Sequence, residues 1–412
     1  MTRPVRFIAV VCAAEVLGMM GISSFAALLP TFAAEWQLSN TDAGWIGGLY
    51  FAGYVVAVPV LSSLTDRIDA RIVWLGATAL GGAAAVGFAL SADGFWSAGA
   101  WRALAGVGLA GTYMPGLKAL NDRLAGTEKS RAVAFYTASF GIGMSLSYVV
   151  AGEVARLFDW RAAFLAAALG SLAALAVGGV AFAARTAEPP GRPDTHLLDF
   201  RPVFANRAAM GYVLGYATHV WELFGLRAWI VAFMVFAAGA QADPEVWLRP
   251  TTVAALVMLV GMPASVLGNE LCLRLGRRPV IAVLMLASAG LSAALGFLGA
   301  IDYTLLAVVC LLYGVLLMGD SASLTAGMVE TAEPAYRGAT MAVHATLGFV
   351  GAAAAPPVFG FVLDLAGGRG EVSAWGFAFI SLAAVAVLGP LALVMGARGE
   401  AARRLQPRMA KE

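Results

Sequence analysis

The 412-residue sequence predicts an all-α membrane protein with twelve transmembrane helices arranged as two pseudo-symmetric six-helix bundles. Three observations support this fold class: the composition, the number of long apolar runs, and the placement of lysine and arginine. Hydrophobic residues make up 60 % of the chain and charged residues 13 %, with a mean hydropathy of +0.80. Soluble proteins carry about 25 % charged residues. The composition therefore excludes an ordinary soluble domain, and it excludes a disordered chain, which would be poor in apolar residues.

Twelve apolar runs are long enough to cross the ~30 Å hydrocarbon layer, which takes about 20 helical residues. They are rich in Ala, Leu and Gly and lack the alternation of barrel strands, so each predicts a helix. The predicted spans are Phe7–Phe32, Ala43–Leu64, Ile72–Ala92, Phe95–Leu117, Ala132–Gly152, Ala162–Ala184, Ala208–Ala238, Thr251–Leu273, Pro279–Ala300, Tyr303–Met328, Gly338–Leu365 and Trp375–Ala397.

The basic residues predict the orientation of these spans, because cytoplasmic loops hold an excess of lysine and arginine. With the N-terminus inside, 21 of the 27 basic residues fall on the inner side. The outer loops then hold only Arg156, Arg161, Arg249 and Arg369. Both termini are therefore predicted to be cytoplasmic.

A polar, proline-containing segment at 185–207 divides the chain into six spans and six. We predict an N-terminal bundle at 1–184, a C-terminal bundle at 208–397 and a cytoplasmic tail at 398–412. The halves repeat one another: Arg67 and Arg71 recur as Arg274 and Arg278 at an offset of 207. Duplicated six-helix units are typical of secondary transporters.

Three motifs resemble those of the major facilitator superfamily. The loop Ser62–Arg71 is similar to the family's loop signature, with a second copy at Asn269–Arg278 in which Leu273 replaces the acid. The fourth span contains Arg102 followed by Gly106 and Gly108 in the family's spacing. The resemblance covers essentially the whole chain. It implies the major facilitator fold, alternating access, and a bacterial permease in the inner (plasma) membrane.

Ionisable groups inside spans are functional candidates, because each costs roughly 2.5–3.5 kcal/mol at the bilayer centre. Glu15 in span 1 and Arg102 in span 4 lie at similar predicted depths, so we expect them to pair and to change proton affinity with solute binding. Tyr113 shares the helical face of Arg102. In span 5, Tyr136 and Ser147 share a face and are expected to offer hydroxyls to a solute. A structural role is the alternative for each.

The seventh span carries His219, Glu222 and Trp229 on one face, which we expect to line the transport route. Asp320, in the tenth span, is expected to bind a polar group of the solute or to act at the inner gate, and a structural role stays open. His344 is expected to be a satisfied buried imidazole. The predicted proton-coupling and substrate set is therefore Glu15, Arg102, Tyr113, His219, Glu222, Trp229 and Asp320.

The resemblance also implies a cytoplasmic gate. In the family, the first-loop acid meets a helix N-terminus of the other half, which would place Asp66, beside Arg67, against the start of span 11. It further implies that Arg71 pairs with Asp122 and that Arg278 pairs with Glu330. With Leu273 in place of the acid, the second latch is expected to be weaker.

The leading hypothesis is a proton-coupled secondary transporter for a small organic solute. An uncoupled facilitator and a proton-antiport efflux pump stay open, and a non-transporting receptor or an intramembrane enzyme is a distant alternative. The chain has no ATP-binding loop motif, and its three cysteines are too scattered for a metal site. We expect no cofactor, no metal and no enzymatic activity. The expected partners are the solute, protons and the lipid bilayer; the net charge of +2 excludes nucleic acid, and we expect a monomer.

Overall fold

A computed structural model describes residues 3–65, 67–124, 128–182, 200–242 and 246–409. Within these ranges every regular element is helical. The helices of the first part of the chain are α1 (Arg3–Gly18), α2 (Ser24–Ala27), α3 (Leu29–Glu35), α4 (Asn40–Leu64), α5 (Ala70–Ser91), α6 (Phe95–Asn121), α7 (Glu128–Leu157) and α8 (Trp160–Ala181).

The second part of the chain repeats this pattern of long helices, with two short 3₁₀ turns at Gly296–Leu298 and Pro334–Tyr336. Its helices are α9 (Arg201–Ala205), α10 (Arg207–Gly239), α11 (Pro250–Leu275), α12 (Arg277–Leu295), α13 (Tyr303–Met318), α14 (Ser321–Thr331), α15 (Arg337–Leu365), α16 (Val372–Ala386) and α17 (Leu388–Met409).

The predicted spans coincide with these helices. Ten helical segments of the described chain are long and apolar enough to cross a membrane. The other two predicted spans are the first, which is divided into α1, α2 and α3, and the fourth, α6, which buries Arg102. The all-α membrane fold is therefore confirmed, whereas the domain boundary at 185–207 stays a prediction, since residues 183–199 lie outside the described ranges.

The first span is broken at residues 19–23, and α7 supplies the hydrogen bonds that the broken backbone lacks. The Ser147 hydroxyl donates to the Met20 carbonyl at 2.8 Å and accepts from the Ser23 amide at 3.0 Å. The Ser23 hydroxyl donates to the Met144 carbonyl at 3.2 Å. Irregular backbone at membrane depth is tolerated only when its polar groups are satisfied in this way. Ser147, expected to serve a solute, serves the helix break.

Contacts divide the chain into two compact units. Unit 1 comprises residues 1–191 and 227–259, and unit 2 comprises residues 192–226 and 260–412. In unit 1, Phe32, Phe88 and Trp160 belong to an aromatic cluster in which Phe88 stacks on Phe164 with ring centroids 3.9 Å apart. A second core of unit 1 surrounds the fully buried Trp74.

Residues 227–259 join unit 1 through α7. The Tyr148 hydroxyl donates to the Arg227 carbonyl at 2.5 Å, and Glu153 pairs with Arg249. In unit 2, Tyr212, Met285, Met328 and Leu393 are part of one buried core among α10, α12, α14 and α17. Both units thus bury apolar cores around the polar groups described next.

Candidate functional site

Glu15 is buried in α1 and is 1 % exposed. Its Oε2 accepts a hydrogen bond from the Tyr136 hydroxyl of α7 at 2.6 Å. Its Oε1 has no hydrogen-bond partner among the described residues. Tyr113 stacks on Tyr136 with ring centroids 6.0 Å apart and packs edge-on against Phe140. Tyr136, predicted to offer its hydroxyl to a solute, thus donates it to Glu15, and Tyr113 packs against the Tyr136 ring.

Arg102 does not pair with Glu15, which corrects the expectation from their similar depths. Its guanidinium donates to the carbonyls of Gly21 at 3.4 Å and Ile22 at 3.2 Å, both in the break that follows α1. The guanidinium carbon lies 4.1 Å from the centre of the Tyr50 ring. The break exposes carbonyls that a continuous helix would have used, and a cationic donor with five N–H groups satisfies them.

Arg102 and Tyr50 also border a small cavity of about 50 Å³ inside unit 1. Its other polar lining groups are Thr78, Thr112 and Ser171. A buried water needs about 10–15 Å³ of such volume and two to four polar partners. The cavity therefore has room for a few waters beside the guanidinium.

Glu222 is buried in α10 of unit 2 and is also 1 % exposed. Its Oε1 accepts from the Tyr313 hydroxyl of α13 at 2.9 Å, and its Oε2 accepts from the Ser288 hydroxyl of α12 at 3.1 Å. Both oxygens are thus satisfied. Ser288 was not predicted from the sequence, since a serine in an apolar span gives no signal of its own.

Glu15 and Glu222 are 207 positions apart, the same offset that relates Arg67 to Arg274 and Arg71 to Arg278. This offset was available in the sequence and identifies the two carboxylates as equivalent positions of the duplicated unit. Their tyrosine donors come from helices that are not equivalent, α7 and α13. The carboxylate is repeated at the offset of 207, whereas its tyrosine donors are not.

His219 and Asp320 form the second polar group of unit 2. Nδ1 of His219 lies 2.8 Å from Oδ1 of Asp320, and both side chains are buried. Asp320 follows Gly319 in the break between α13 and α14, so the predicted tenth span is divided at its acid. The predicted route residues His219 and Asp320 are therefore in contact with each other. Within the described ranges, no cluster of three or more His, Cys, Asp or Glu could hold a metal ion.

His344 and Trp229 complete the buried candidates. The His344 ring stacks on Tyr216 with centroids 3.9 Å apart, and its Nε2 lies 3.3 Å from the Thr325 hydroxyl. Its Nδ1 has no hydrogen-bond partner in the described part of the chain. The imidazole is therefore buried, but only half satisfied. Trp229 is fully buried in the part of α10 that belongs to unit 1.

The loop residues predicted to form the gate have other partners. Arg71 donates to the Gly179 carbonyl at 2.9 Å, and Asp122 pairs with Lys118 at 3.1 Å, so the expected Arg71–Asp122 pair is wrong. Arg67 is exposed, and Asp66 lies outside the described residues.

The expected Arg278–Glu330 pair is wrong by one residue. Arg277 holds Glu330 at 2.6 Å, whereas the Arg278 guanidinium lies over the Tyr212 ring at 5.7 Å. Successive side chains on a helix point about 100° apart. A shift of one position therefore decides which arginine faces α14.

Two interhelical ion pairs occupy equivalent places in the halves with their charges exchanged. Asp69 accepts from Arg123 at 2.9 Å in unit 1, and Arg277 donates to Glu330 at 2.6 Å in unit 2. The offsets are 208 for the first positions and 207 for the second. The acid comes from the loop in unit 1 and from the helix end in unit 2.

The sequence profile of the Major Facilitator Superfamily matches residues 11–356. The chain belongs to this superfamily of membrane transporters. Human protein spinster homolog 1 is 25 % identical over 245 residues, covering 57 % of this chain and 46 % of that protein. The sphingosine-1-phosphate transporter SPNS2 of Xenopus tropicalis is 22 % identical over 403 residues, covering 93 % of this chain and 78 % of that protein.

Solved structures give the same fold. A bacterial homologue of the human lysosomal transporter spinster, crystallised in an inward-facing and unoccupied conformation, superposes with a TM-score of 0.75. The identity is 14 %, and the match covers 97 % of each chain. The chain spans about half the length of human spinster homolog 1. The comparisons therefore define the fold and the transporter family.

Proposed function

We propose that this chain is a proton-coupled secondary active transporter that moves an amphipathic organic solute by alternating access. The observation that carries the proposal is the pair of buried carboxylates, Glu15 and Glu222, at equivalent positions of the two halves. An ionisable group inside a membrane protein is costly and usually functional. A carboxylate can take up and release a proton, whereas arginine stays charged.

Glu15 is the proposed coupling acid of unit 1. Its Oε1 has no donor among the described residues, so a proton can bind there without displacing an existing hydrogen bond. Arg102 is proposed to respond to changes in the conformation of the helix break, since it donates hydrogen bonds to the Gly21 and Ile22 carbonyls there. Tyr113 is proposed to set the position of Tyr136 by stacking on it.

His219, Glu222 and Asp320 are the proposed coupling and solute-contacting groups of unit 2, with Trp229 further along α10. Asp320 lies at a break between two helices, and discontinuous helices commonly form solute and ion sites in secondary transporters. The loop residues Arg67, Arg71, Asp122, Arg278 and Glu330, together with Asp66, are proposed to act near the cytoplasmic gate.

The solute class is proposed from chemistry and from the relatives. Aromatic Tyr113 and Trp229 beside buried charges suit a molecule with an apolar body and a polar group. The Xenopus relative is named for transport of sphingosine-1-phosphate, which is such a molecule. We further propose that the protein acts as a monomer in a bacterial inner membrane.

The solute is found first by thermal unfolding of the purified protein against a panel of amphipathic organic acids, amines and phosphates. A ligand at 100 times its Kd adds about 2.7 kcal/mol to the free energy of unfolding. A hit is then assayed as radiolabelled solute uptake into proteoliposomes with an imposed pH gradient. We expect uptake driven by that gradient.

Glu15→Gln and Glu222→Gln test the coupling directly. Each is expected to lose gradient-driven accumulation by about 5- to 150-fold, the usual range of coupling between two sites. Solute exchange at equal pH on both sides should persist, because it needs no net proton movement. Glu371→Gln, at an exposed acid that precedes α16 and makes no side-chain cap hydrogen bond, is the matched control. Unchanged pH dependence in both buried variants would contradict proton coupling and leave an uncoupled facilitator.

A further inference from the structure

Unit 2 contains a groove of about 950 Å³ between α10, α15 and α17. On α10 its lining recurs every three or four residues from Arg207 through Leu214 to Trp221, so one helical face forms one wall. His219, Glu222 and Asp320 do not line it. The groove is therefore separate from the polar cluster of the proposed transport function.

The walls of the groove are apolar and uncovered. Leu214, Leu391 and Met395 line it and are 45 %, 58 % and 70 % exposed. Near one end, α10 and α17 approach closely: a Cβ on Gly211 would lie 3.1 Å from the Gly396 Cα. The two helices therefore form a continuous apolar surface along this contact.

Two arginines stand at one end of this surface. Arg207 begins α10 and Arg398 lies near the middle of α17; both line the groove and both are exposed. Neither side chain has an ion pair or hydrogen bond with another described residue, and the lining contains no acidic residue. The groove thus combines an apolar body with a doubly positive end.

The length of the groove matches one leaflet. Arg207 to Trp221 spans about 21 Å of helix at 1.5 Å per residue. A bilayer with its headgroups is about 40–45 Å thick, so one leaflet takes about 20–22 Å. The arginines therefore fall at headgroup depth when the apolar wall lies at acyl-chain depth. Their end is the one predicted to be cytoplasmic.

We propose that this groove binds one anionic phospholipid from the leaflet on the side of Arg207 and Arg398. The phosphate lies between the two guanidinium groups, which bind phosphate through paired N–H donors. The acyl chains lie along Leu214, Leu391 and Met395. Basic pockets between transmembrane helices on the cytoplasmic side recognise anionic headgroups in this way.

Native mass spectrometry of the purified full chain tests the proposal, with phosphatidylglycerol and phosphatidylcholine of identical acyl chains as probes. We expect wild type to retain phosphatidylglycerol preferentially. Arg207→Gln with Arg398→Gln should weaken that binding by about 30-fold, since each arginine near anionic lipid contributes about a fivefold factor. Arg6→Gln, an exposed arginine of α1, is the control and should change nothing.

A second pair of variants tests the apolar wall. Leu391→Trp fills the groove, whereas Val394→Trp adds the same bulk at an exposed position of α17 that does not line it. We expect only Leu391→Trp to reduce retention of both lipids. Equal retention of the two lipids by wild type, or undiminished phosphatidylglycerol binding by the double arginine variant, overturns the proposal. Neither measurement depends on solute transport, so the transport proposal is tested separately.

Discussion

The Glu15 site and the Glu222 site occupy equivalent positions in the duplicated halves, yet they are satisfied differently. Glu15 has one donor, Tyr136, and one oxygen without a partner among the described residues. Glu222 has two donors, Tyr313 and Ser288. The two halves thus share the acid but supply its hydrogen-bond donors from different helices.

The difference extends to the neighbours one helical turn away. The position equivalent to His219 is Cys12, also at an offset of 207. His219 is held against Asp320 in unit 2, whereas the charged group of unit 1, Arg102, binds backbone carbonyls at a helix break. In unit 2 the buried His219 therefore has another side chain as its neighbour, whereas in unit 1 the buried Arg102 has main-chain carbonyls as its partners.

The largest expected effect comes from breaking the His219–Asp320 pair. Asp320→Leu should lower the free energy of unfolding by about 3 kcal/mol, the upper end of the penalty for an unsatisfied buried polar group, because the buried His219 imidazole loses its carboxylate neighbour. Thermal unfolding in detergent measures it. The double variant His219→Phe with Asp320→Leu should recover much of the loss, since an apolar pair of similar volume needs no compensation.

Cys12→Ala is the control in unit 1 and should change stability little, since Cys12 forms no ion pair. A single Asp320→Leu variant as stable as wild type would show that the contact between His219 and Asp320 does not stabilise unit 2. The contrast between the units would then rest on Glu15 and Glu222 alone.

An intermediate loss of stability is expected when the tyrosine donors of the two buried acids are replaced by phenylalanine. Tyr136→Phe removes the 2.6 Å hydrogen bond to the Glu15 carboxylate and should cost about 1–3 kcal/mol, the penalty for an unsatisfied buried polar group. Tyr313→Phe should cost less, because Ser288 still donates to Glu222. The double variant Tyr313→Phe with Ser288→Ala should lower the free energy of unfolding by about as much as Tyr136→Phe alone. An equal loss of stability in the two single tyrosine variants would contradict the conclusion that Glu222 has a second donor and Glu15 does not.

The smallest effect is expected at the charge-exchanged ion pairs. Glu330→Gln should cost about 0.2–1 kcal/mol, since the Glu330 side chain is 63 % exposed. Asp69→Asn should cost more, because Asp69 and Arg123 are each only 9 % exposed. Reversing the unit 1 pair, with Asp69→Arg and Arg123→Glu together, should restore part of that loss in a thermal melt. Failure of the reversal would show that Asp69 acts chiefly as the N-cap of α5, where it accepts from the Arg71 amide.

The sequence predicted the helices well and their partners poorly, for physical reasons. Hydropathy averages over about 19 residues, so it detects a span and misses a five-residue break such as 19–23. Depth arithmetic placed Glu15 and Arg102 at similar heights, but it cannot tell which way a guanidinium turns. Arg277, and not Arg278, pairs with Glu330, because successive side chains on a helix point about 100° apart.

The offset of 207 that relates the loop arginines of the two halves also relates the two buried acids. Glu15 and Glu222 obey it, as do the loop arginines. Tyr136 and Tyr313 do not, because their helices are not equivalent, so no repeat could have paired them with their acids. The equivalence of the two acids could be predicted from the repeat, whereas their hydrogen-bond donors could be identified only in the structure.

The exchanged polarity of the two loop–helix ion pairs restricts how the halves can be recombined. A chimaera that joined the α5 loop of the first half to the α14 end of the second would set Asp69 against Glu330, and the reciprocal graft would set Arg277 against Arg123. Both hybrids would bring like charges together where each parent has a bond. The two halves have thus become non-interchangeable parts, even though they descend from one repeated unit.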